Sequence, residues 1–331
     1  MKKTTLLILA LCALCAAQAQ IGPPELHGTI RTKFEYQTGM NATRFEVRNA
    51  RISLAGQLLP IVAYKAEIDL CDEGQIKMLD AYARLTPLRG FTVTAGQMRV
   101  PFTIDAHRSP HLRYFANRSF IAKQVGNVRD VGLTLGYKTG GTRPVTLEAG
   151  LYNGSGLTNQ KVWHKEINYS AKAQYMITPA INLTLSVQSI VPDKVRLSSY
   201  DIGAFYRNGR FHLEGEYLFK TYSHESYDDV HAFNTFINYD LPLRKTFHKI
   251  SFLARYDMMT GQSDGKSTDE TGALITTDYR RQRVTGGLTL SLGTPFTADI
   301  RLNYEKYFYA RGSIAKESEQ DKVVVELMVR F

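Results

Sequence analysis

The sequence predicts an all-β fold: a transmembrane antiparallel β-barrel of about 16 strands. Three observations predict it. Apolar and polar residues alternate with period 2 in segment after segment. Short and long connections tend to alternate between those segments. No stretch downstream of the N-terminus holds the ~18 consecutive apolar residues that a membrane-crossing helix requires. Strand side chains point alternately to two faces, so each such segment carries an apolar face and a mostly polar one.

The chain opens on a separate element. Met1-Lys2-Lys3 is a short basic start, Thr4 to Ala17 is apolar, and Ala17-Gln18-Ala19 is an A-x-A site. These are the three parts of a secretory signal peptide. Residues 1–19 are therefore expected to be removed after Ala19, leaving residues 20–331 as a single barrel domain exported to the outer membrane of a Gram-negative bacterium. Leu11 and Leu14 precede Cys12 and Cys15, where a lipoprotein site would carry a small residue. Processing takes both cysteines away and leaves Cys71 in a loop, so no intrachain disulfide is expected. The formal charge of +10 becomes +8 without Lys2 and Lys3, which still favours an anionic partner.

Sixteen alternating segments follow, approximately 25–36, 44–57, 62–70, 77–86, 91–100, 130–138, 145–152, 166–177, 181–189, 199–206, 211–221, 231–240, 248–258, 281–292, 298–308 and 322–331. The third sets Val62, Tyr64, Ala66, Ile68 and Leu70 against Lys65, Glu67 and Asp69. The last sets Val323, Val325, Leu327, Val329 and Phe331 against Lys322, Glu326 and Arg330. The short connections carry Pro, Gly or Asn208-Gly209, a hairpin signal. The longest connections are 101–129 and 259–280. An even strand count with both termini on the short-turn side is the pattern of an outer-membrane barrel, and closure leaves no strand edge facing lipid. An exported soluble sandwich or propeller would also alternate. It would not gather aromatic residues towards strand ends on the apolar face, where Tyr36, Tyr137, Tyr169, Tyr175, Tyr200, Tyr206, Tyr239, Tyr256 and Tyr304 fall. The terminal Phe331 is a further outer-membrane assembly cue.

Sixteen strands leave an aqueous channel unless something fills it. The 101–129 connection is the third extracellular loop by strand order. It carries Arg108, Arg113, Arg118, Lys123 and Arg129 against Asp105, with His107 and His111 as latent charge. It also carries Phe102, Ile104, Tyr114, Phe115, Phe120 and Ile121, which need cover. Folded into the lumen, it would present cations at a constriction, and guanidinium matches oxyanions bidentately. The alternative for these arginines is a solvated loop surface or contact with lipopolysaccharide phosphates. On the polar parity of the strands lie Arg31, Lys33, Arg51, Lys65, Arg84 and Arg301, sharing faces with Glu35, Glu67, Asp69, Asp80 and Asp299. Each is safer in the lumen than at the lipid midplane, where Arg or Lys costs ~2–4 kcal/mol. Arg44 and Arg48 stand where the second segment changes parity, between Val47 and Ile52, and their direction is open. Arg99 shares its parity with Val93 and Ala95 and is open too.

Several stretches resemble, in order, the phosphate-selective porin O and P family: Asn49-Ala50-Arg51-Ile52-Ser53-Leu54-Ala55-Gly56, Leu79-Asp80-Ala81-Tyr82-Ala83-Arg84, and Gly96-Gln97-Met98-Arg99-Val100-Pro101-Phe102. Asn117-Arg118-Ser119, Arg129-Asp130-Val131-Gly132 and Leu151-Tyr152-Asn153-Gly154 continue the match, which loosens through Ala254-Arg255-Tyr256-Asp257 and Asn303-Tyr304-Glu305. The resemblance implies a trimeric barrel with an infolded third loop and basic walls that conduct anions. Arg99, Arg118 and Arg129 fall in matching stretches.

The sequence reading is thus an outer-membrane pore for passive diffusion of small, phosphate-like anions. Its candidate residues are Arg31, Arg51, Arg84, Arg99, Arg108, Arg113, Arg118, Lys123 and Arg129. Outer-membrane lipid and lipopolysaccharide are the expected surroundings, a homotrimer the expected assembly, and no cofactor, metal or nucleic acid is called for. A general non-selective porin is the alternative, and an outer-membrane hydrolase is the rival of another class. Gly261-Gln262-Ser263-Asp264-Gly265 matches G-x-S-x-G, but in a polar loop with no strand-to-helix turn. His212, His224 and His231 lack ligand spacing and read as surface histidines.

Overall fold

Period-2 segments become strands wherever one face can meet lipid and the other a polar interior. The computed structural model describes residues 22–71, 75–125, 129–293 and 297–331. The expected signal peptide and its cleavage site lie outside them. The strands are β1 Glu25–Gln37, β2 Ala42–Leu59, β3 Val62–Asp69, β4 Lys77–Leu88, β5 Phe91–Arg99, β6 Arg129–Lys138, β7 Val145–Tyr152 and β8 Asn168–Thr178. They continue as β9 Ile181–Ile190, β10 Leu197–Asn208, β11 Phe211–Tyr222, β12 Val230–Pro242, β13 Lys249–Met259, β14 Arg281–Leu292, β15 Thr297–Tyr309 and β16 Lys322–Arg330. Each pairs with its chain neighbour, and β1 pairs antiparallel with β16, so the sheet is one closed barrel. The soluble sandwich is thereby excluded.

The two faces are unambiguous. Leu133, Leu135, Leu185, Ile202, Phe252 and Leu327 are exposed, whereas Arg31, Glu214, Glu216, Asp257, Thr285, Asn303 and Glu326 are buried. A soluble core would reverse that. In a membrane barrel the exposed apolar set meets lipid and the polar set lines the interior. Tyr137, Tyr169, Tyr200, Tyr239 and Tyr304 are on the exposed face, as the girdle reading requires. Connections at one end are tight, as at Pro60-Ile61 and Pro179-Ala180. Those at the other end are mostly long, although the first of them is only residues 38–41.

Local irregularities have local causes. The hairpin at Asn208-Gly209 forms with Asn208 paired to Phe211, so Gly209 and Arg210 are its two central residues. Gly209 has φ +56°, the left-handed value that the first central position of a II′ turn needs. The parity change in β2 is a bulge: Arg31 pairs with Asn49 and Thr32 with Val47, leaving Arg48 as the extra residue. At the seam, the main chains of Gly28 and Phe331 exchange two hydrogen bonds, at 2.8 and 3.1 Å.

Residues 100–125, the third long connection, turn back through short 3-10 turns at Asp105–His107 and Pro110–Leu112 and a π turn at Ile121–Val125. Their partners are inward-facing groups on seven strands. Thr103 O accepts from Lys172 at 2.5 Å, and Thr103 N donates to Ser186 Oγ at 3.0 Å. Ile104 N donates to Glu216, Pro101 O accepts from Ser170 Oγ at 2.8 Å, and Phe120 N donates to Asp257 at 3.2 Å. Ala116 N donates to Asn303 at 2.9 Å, while Ala116 O accepts from Arg31 at 2.7 Å. Arg255 and Arg283 donate to the carbonyl oxygens of Asn117 and Arg118 at 2.9 and 2.7 Å. The apolar residues that needed cover receive it from the same wall. Phe102, Phe120 and Ile121 pack with Leu218, Ala232, Met259 and Tyr307, and Phe115 packs with Phe236 and Leu253. Gly203 makes room for the loop: a Cβ there would lie 2.6 Å from Ile104 Cδ1.

Candidate functional site

The nine candidate cations separate by partner. Five are held by carboxylates. Arg31 bonds Glu326, which also receives Arg301 at 2.5 Å. Arg51 lies 2.9 Å from Asp69 and 3.3 Å from Glu67. Arg129 reaches across to Asp80 at 2.7 Å and Glu67 at 3.2 Å. Arg108 is bound by Glu214 and lies 3.3 Å from Asp105, with its guanidinium over the rings of Tyr114 and Phe236. Lys123 meets Glu319 at 2.5 Å. Buried pairs of this kind neutralise the charges that the interior forces inward, and losing one partner strands the other.

Four have no carboxylate partner among the described residues. Arg84 donates to Thr94 Oγ1 at 2.9 Å and stacks over Tyr82. Arg99, whose direction was open, points inward and donates to the carbonyl oxygens of Ala106 and Arg108 at 3.1 and 3.2 Å. Arg118 offers only its carbonyl oxygen to a neighbour. Arg113 is 7% exposed, yet its Nε and one Nη have no hydrogen-bond partner. An unpartnered buried guanidinium is costly.

These groups open onto two cavities. One of about 520 Å³ lies towards the long-connection end. Lys33, Arg44, Arg48, Arg113, Arg118, Lys123, Arg283 and Lys322 line it, with Glu46 as the single acid. Arg44 and Arg48, whose direction the sequence left open, thus face this cavity. The other, of about 450 Å³, lies towards the tight turns. Lys65, Arg84, Arg99 and Lys138 line it together with Asp80 and Glu148, a far more balanced set. Residues 99–118 contribute to both.

Inside the loop, Asp105 organises the chain. Its carboxylate accepts from Ser119 N at 3.1 Å and Ser119 Oγ at 2.7 Å. Burial pushes its pKa up, but Arg108 and the Ser119 donor outweigh this and bring it to about 2. The latent charge expected of the histidines is absent. Burial lowers His107 to about 3, with Lys172 adding to the effect, and lowers His111 to about 4, with Arg330 adding to it. Both are neutral at physiological pH.

Other residues correct or extend the sequence reading. His212 is not a surface histidine. It is buried, stacked on Tyr114 at 5.0 Å between ring centroids and 3.1 Å from Glu214. Ser263 of the G-x-S-x-G match lies in the loop after β13. Its carbonyl oxygen accepts from Lys220 and Tyr222, and no helix follows it. Wall arginines that were not singled out turn out to hold the loop: Arg255 stacks on Phe115, and Arg281 and Arg283 stack on Phe120. Period-2 parity could have placed Arg255 with Asp257 and Glu214 with Glu216 on interior faces.

The comparisons agree with this fold. The chain is similar to a solved anion-selective porin from Comamonas acidovorans, with a TM-score of 0.64 at 11% identity, covering 93% of this chain and 98% of that one. The protein has the porin fold. The trimer form of OmpT, an outer membrane protein of Vibrio cholerae, gives a TM-score of 0.63 at 12% identity over 93% of this chain and 98% of its own. Salmonella typhi OmpF gives 0.63 at 12% over 93% and 97%. The model of the phosphate-selective porin O and P family matches residues 26–176, which carry β2 to β7, the third loop and all nine candidate cations. No curated protein sequence matches this chain.

Proposed function

We propose that this porin gives small anions, phosphate-like oxyanions among them, a passive route across the outer membrane, and that the third loop is an infolded constriction. One observation carries the reading. Among the described residues Arg113 and Arg118 lack carboxylate partners, and they open onto a cavity whose lining has eight basic residues and one acid. Such a surface attracts anions on entry and offers guanidinium donors that match carboxylate or phosphate oxygens. Arg99 and Arg84 continue the positive lining on the turn side of the loop. Arg31, Arg51, Arg108, Lys123 and Arg129 support the path by fixing the wall and the loop.

Single-channel recording of the refolded protein in a planar bilayer tests this. An anion-side reversal potential in asymmetric KCl is expected, and cation preference would overturn it. Block of chloride current by inorganic phosphate would extend the reading from small anions in general to phosphate. The mixed lining of the turn-side cavity favours a second reading, a weakly selective general porin. In that case chloride and potassium would permeate almost equally and phosphate would leave the current unchanged. The trimer form of its structural relative supports a homotrimer for this chain, to be checked by the mass of the detergent-extracted protein.

A further inference from the structure

The fourth long connection, residues 153–167, turns outward, away from the lumen. Gln160 Nε2 donates to Gln97 Oε1 at 2.5 Å. Gln97 is paired across strands with Ala81 of β4, whose side chain is exposed and faces lipid, and is itself buried beneath the contact. The bond crosses over β6, so the connection lies against the outer wall at the rim of the barrel. Its other end is fixed where Arg196 binds Glu166 at 2.7 Å and donates to Ile167 O at 3.3 Å. Between these ties the chain presents its single tryptophan, Trp163, at 97% exposure, beside exposed Val162 and Ile167. Leu151, exposed on β7, completes a groove of about 620 Å³. Lys161 lines it with His164 and with Glu166, whose carboxylate Arg196 takes up, and Lys165 stands between those two in the chain; both lysines are exposed and have no carboxylate partner among the described residues.

An apolar groove with an indole at the membrane rim, bordered by two free ammonium groups, fits a ligand with acyl chains below and phosphate above. Indole rings settle at headgroup level, and cations there bind anionic headgroups. We infer that this outward flap is a binding site for a phosphorylated, acylated glycolipid of the outer leaflet, with Lys161 and Lys165 on the phosphate and Trp163 on the acyl–sugar boundary. The inference rests on the outer-membrane reading of the barrel.

The single tryptophan makes the test direct. The whole protein is reconstituted in phosphatidylcholine vesicles with and without bisphosphorylated lipid A. Insertion into both vesicle types checks the barrel reading separately. Lipid A is expected to move Trp163 emission to shorter wavelength. Lys161→Gln with Lys165→Gln should need roughly 30-fold more lipid A for the same shift, about fivefold for each cation. A heat-modifiable gel shift equal to the parent's shows that the variant is folded. Emission indifferent to lipid A, or an unchanged titration in the folded double variant, overturns the proposal. So do lysine-directed crosslinks joining two copies through Lys161 or Lys165, which would make the flap a contact between copies.

Discussion

Replacing Arg113 and Arg118 by Gln removes two positive charges from the cavity on the long-connection side while nearly preserving side-chain volume. A sphere of the cavity's volume, about 520 Å³, has a radius of about 5 Å, so an anion at its centre lies at that order of distance from each lining charge. At 5 Å a unit pair interacts by about 0.8 kcal/mol at the dielectric of bulk water and about 3 kcal/mol at an effective dielectric of 20. Taking the lower figure for a wet lumen, two charges amount to about 1.6 kcal/mol of lost attraction, a roughly 15-fold drop in anion partitioning that lowers the anion-to-cation permeability ratio by at least as much. Reversal potential in a tenfold KCl gradient reads that ratio. Raising the salt on both sides should shrink the difference between parent and variant, because mobile ions in the wet cavity screen the charges that open onto it. Arg51→Gln serves as the comparison, since its charge is matched by Asp69 and Glu67. A folded, conducting double variant with an unaltered reversal potential would refute the assignment of these two residues to the path.

Other perturbations follow from the same contacts. Asp105→Ala removes the acceptor of Ser119 N, Ser119 Oγ and Arg108; with ~1.5–3 kcal/mol for each charged hydrogen bond, the loop should loosen by several kcal/mol. Noisier and larger single-channel currents are expected, and quiet parent-like traces would count against a seated loop. Arg31→Met breaks a buried pair at the seam, but Arg301 still neutralises Glu326, so a loss near the lower end, about 3 kcal/mol, is expected in denaturant unfolding. His107 and His111 bind protons more weakly in the folded chain than when unfolded, so neither charges between pH 7.5 and 5.5. Anion selectivity should stay flat over that interval. Their contribution to stability is fully present above the unfolded histidine pKa near 6.5 and declines as pH falls towards their folded values. A step in reversal potential near pH 6 that survives in a His107→Asn, His111→Asn variant would place the titrating group elsewhere.

The strands were legible because lipid imposes one chemistry on every second residue. Leu133, Leu135, Leu147 and Leu185 announce the outer face without help from neighbours. The parity break in β2 was visible too, but a bulge at Arg48 is a property of two strands, and only the register with β1 shows where Arg44 and Arg48 point. Pairing is the less readable layer. Arg51 faces Asp69 across one hairpin, which parity could suggest. Arg129 reaches Asp80 on a strand two places away, and Arg31 reaches Glu326 at a separation of 295 residues. Composition therefore marked nine cations as equivalent when carboxylates occupy five of them. The buried state of His212 escaped notice for a related reason, because the ring that covers it, Tyr114, belongs to the loop.

The seam carries one consequence for biogenesis. Arg31 on the first strand binds Glu326 on the last, and the same guanidinium holds Ala116 O of the third loop. Glu326 in turn anchors Arg301. Closing the first strand on the last and docking the loop therefore share one side chain. A sheet that has not yet joined its edges lacks the Glu326 half of this contact, and a closed barrel with its loop left outside leaves Arg31 without Ala116 O. The wall thus ties ring closure to the seating of the third loop through one guanidinium.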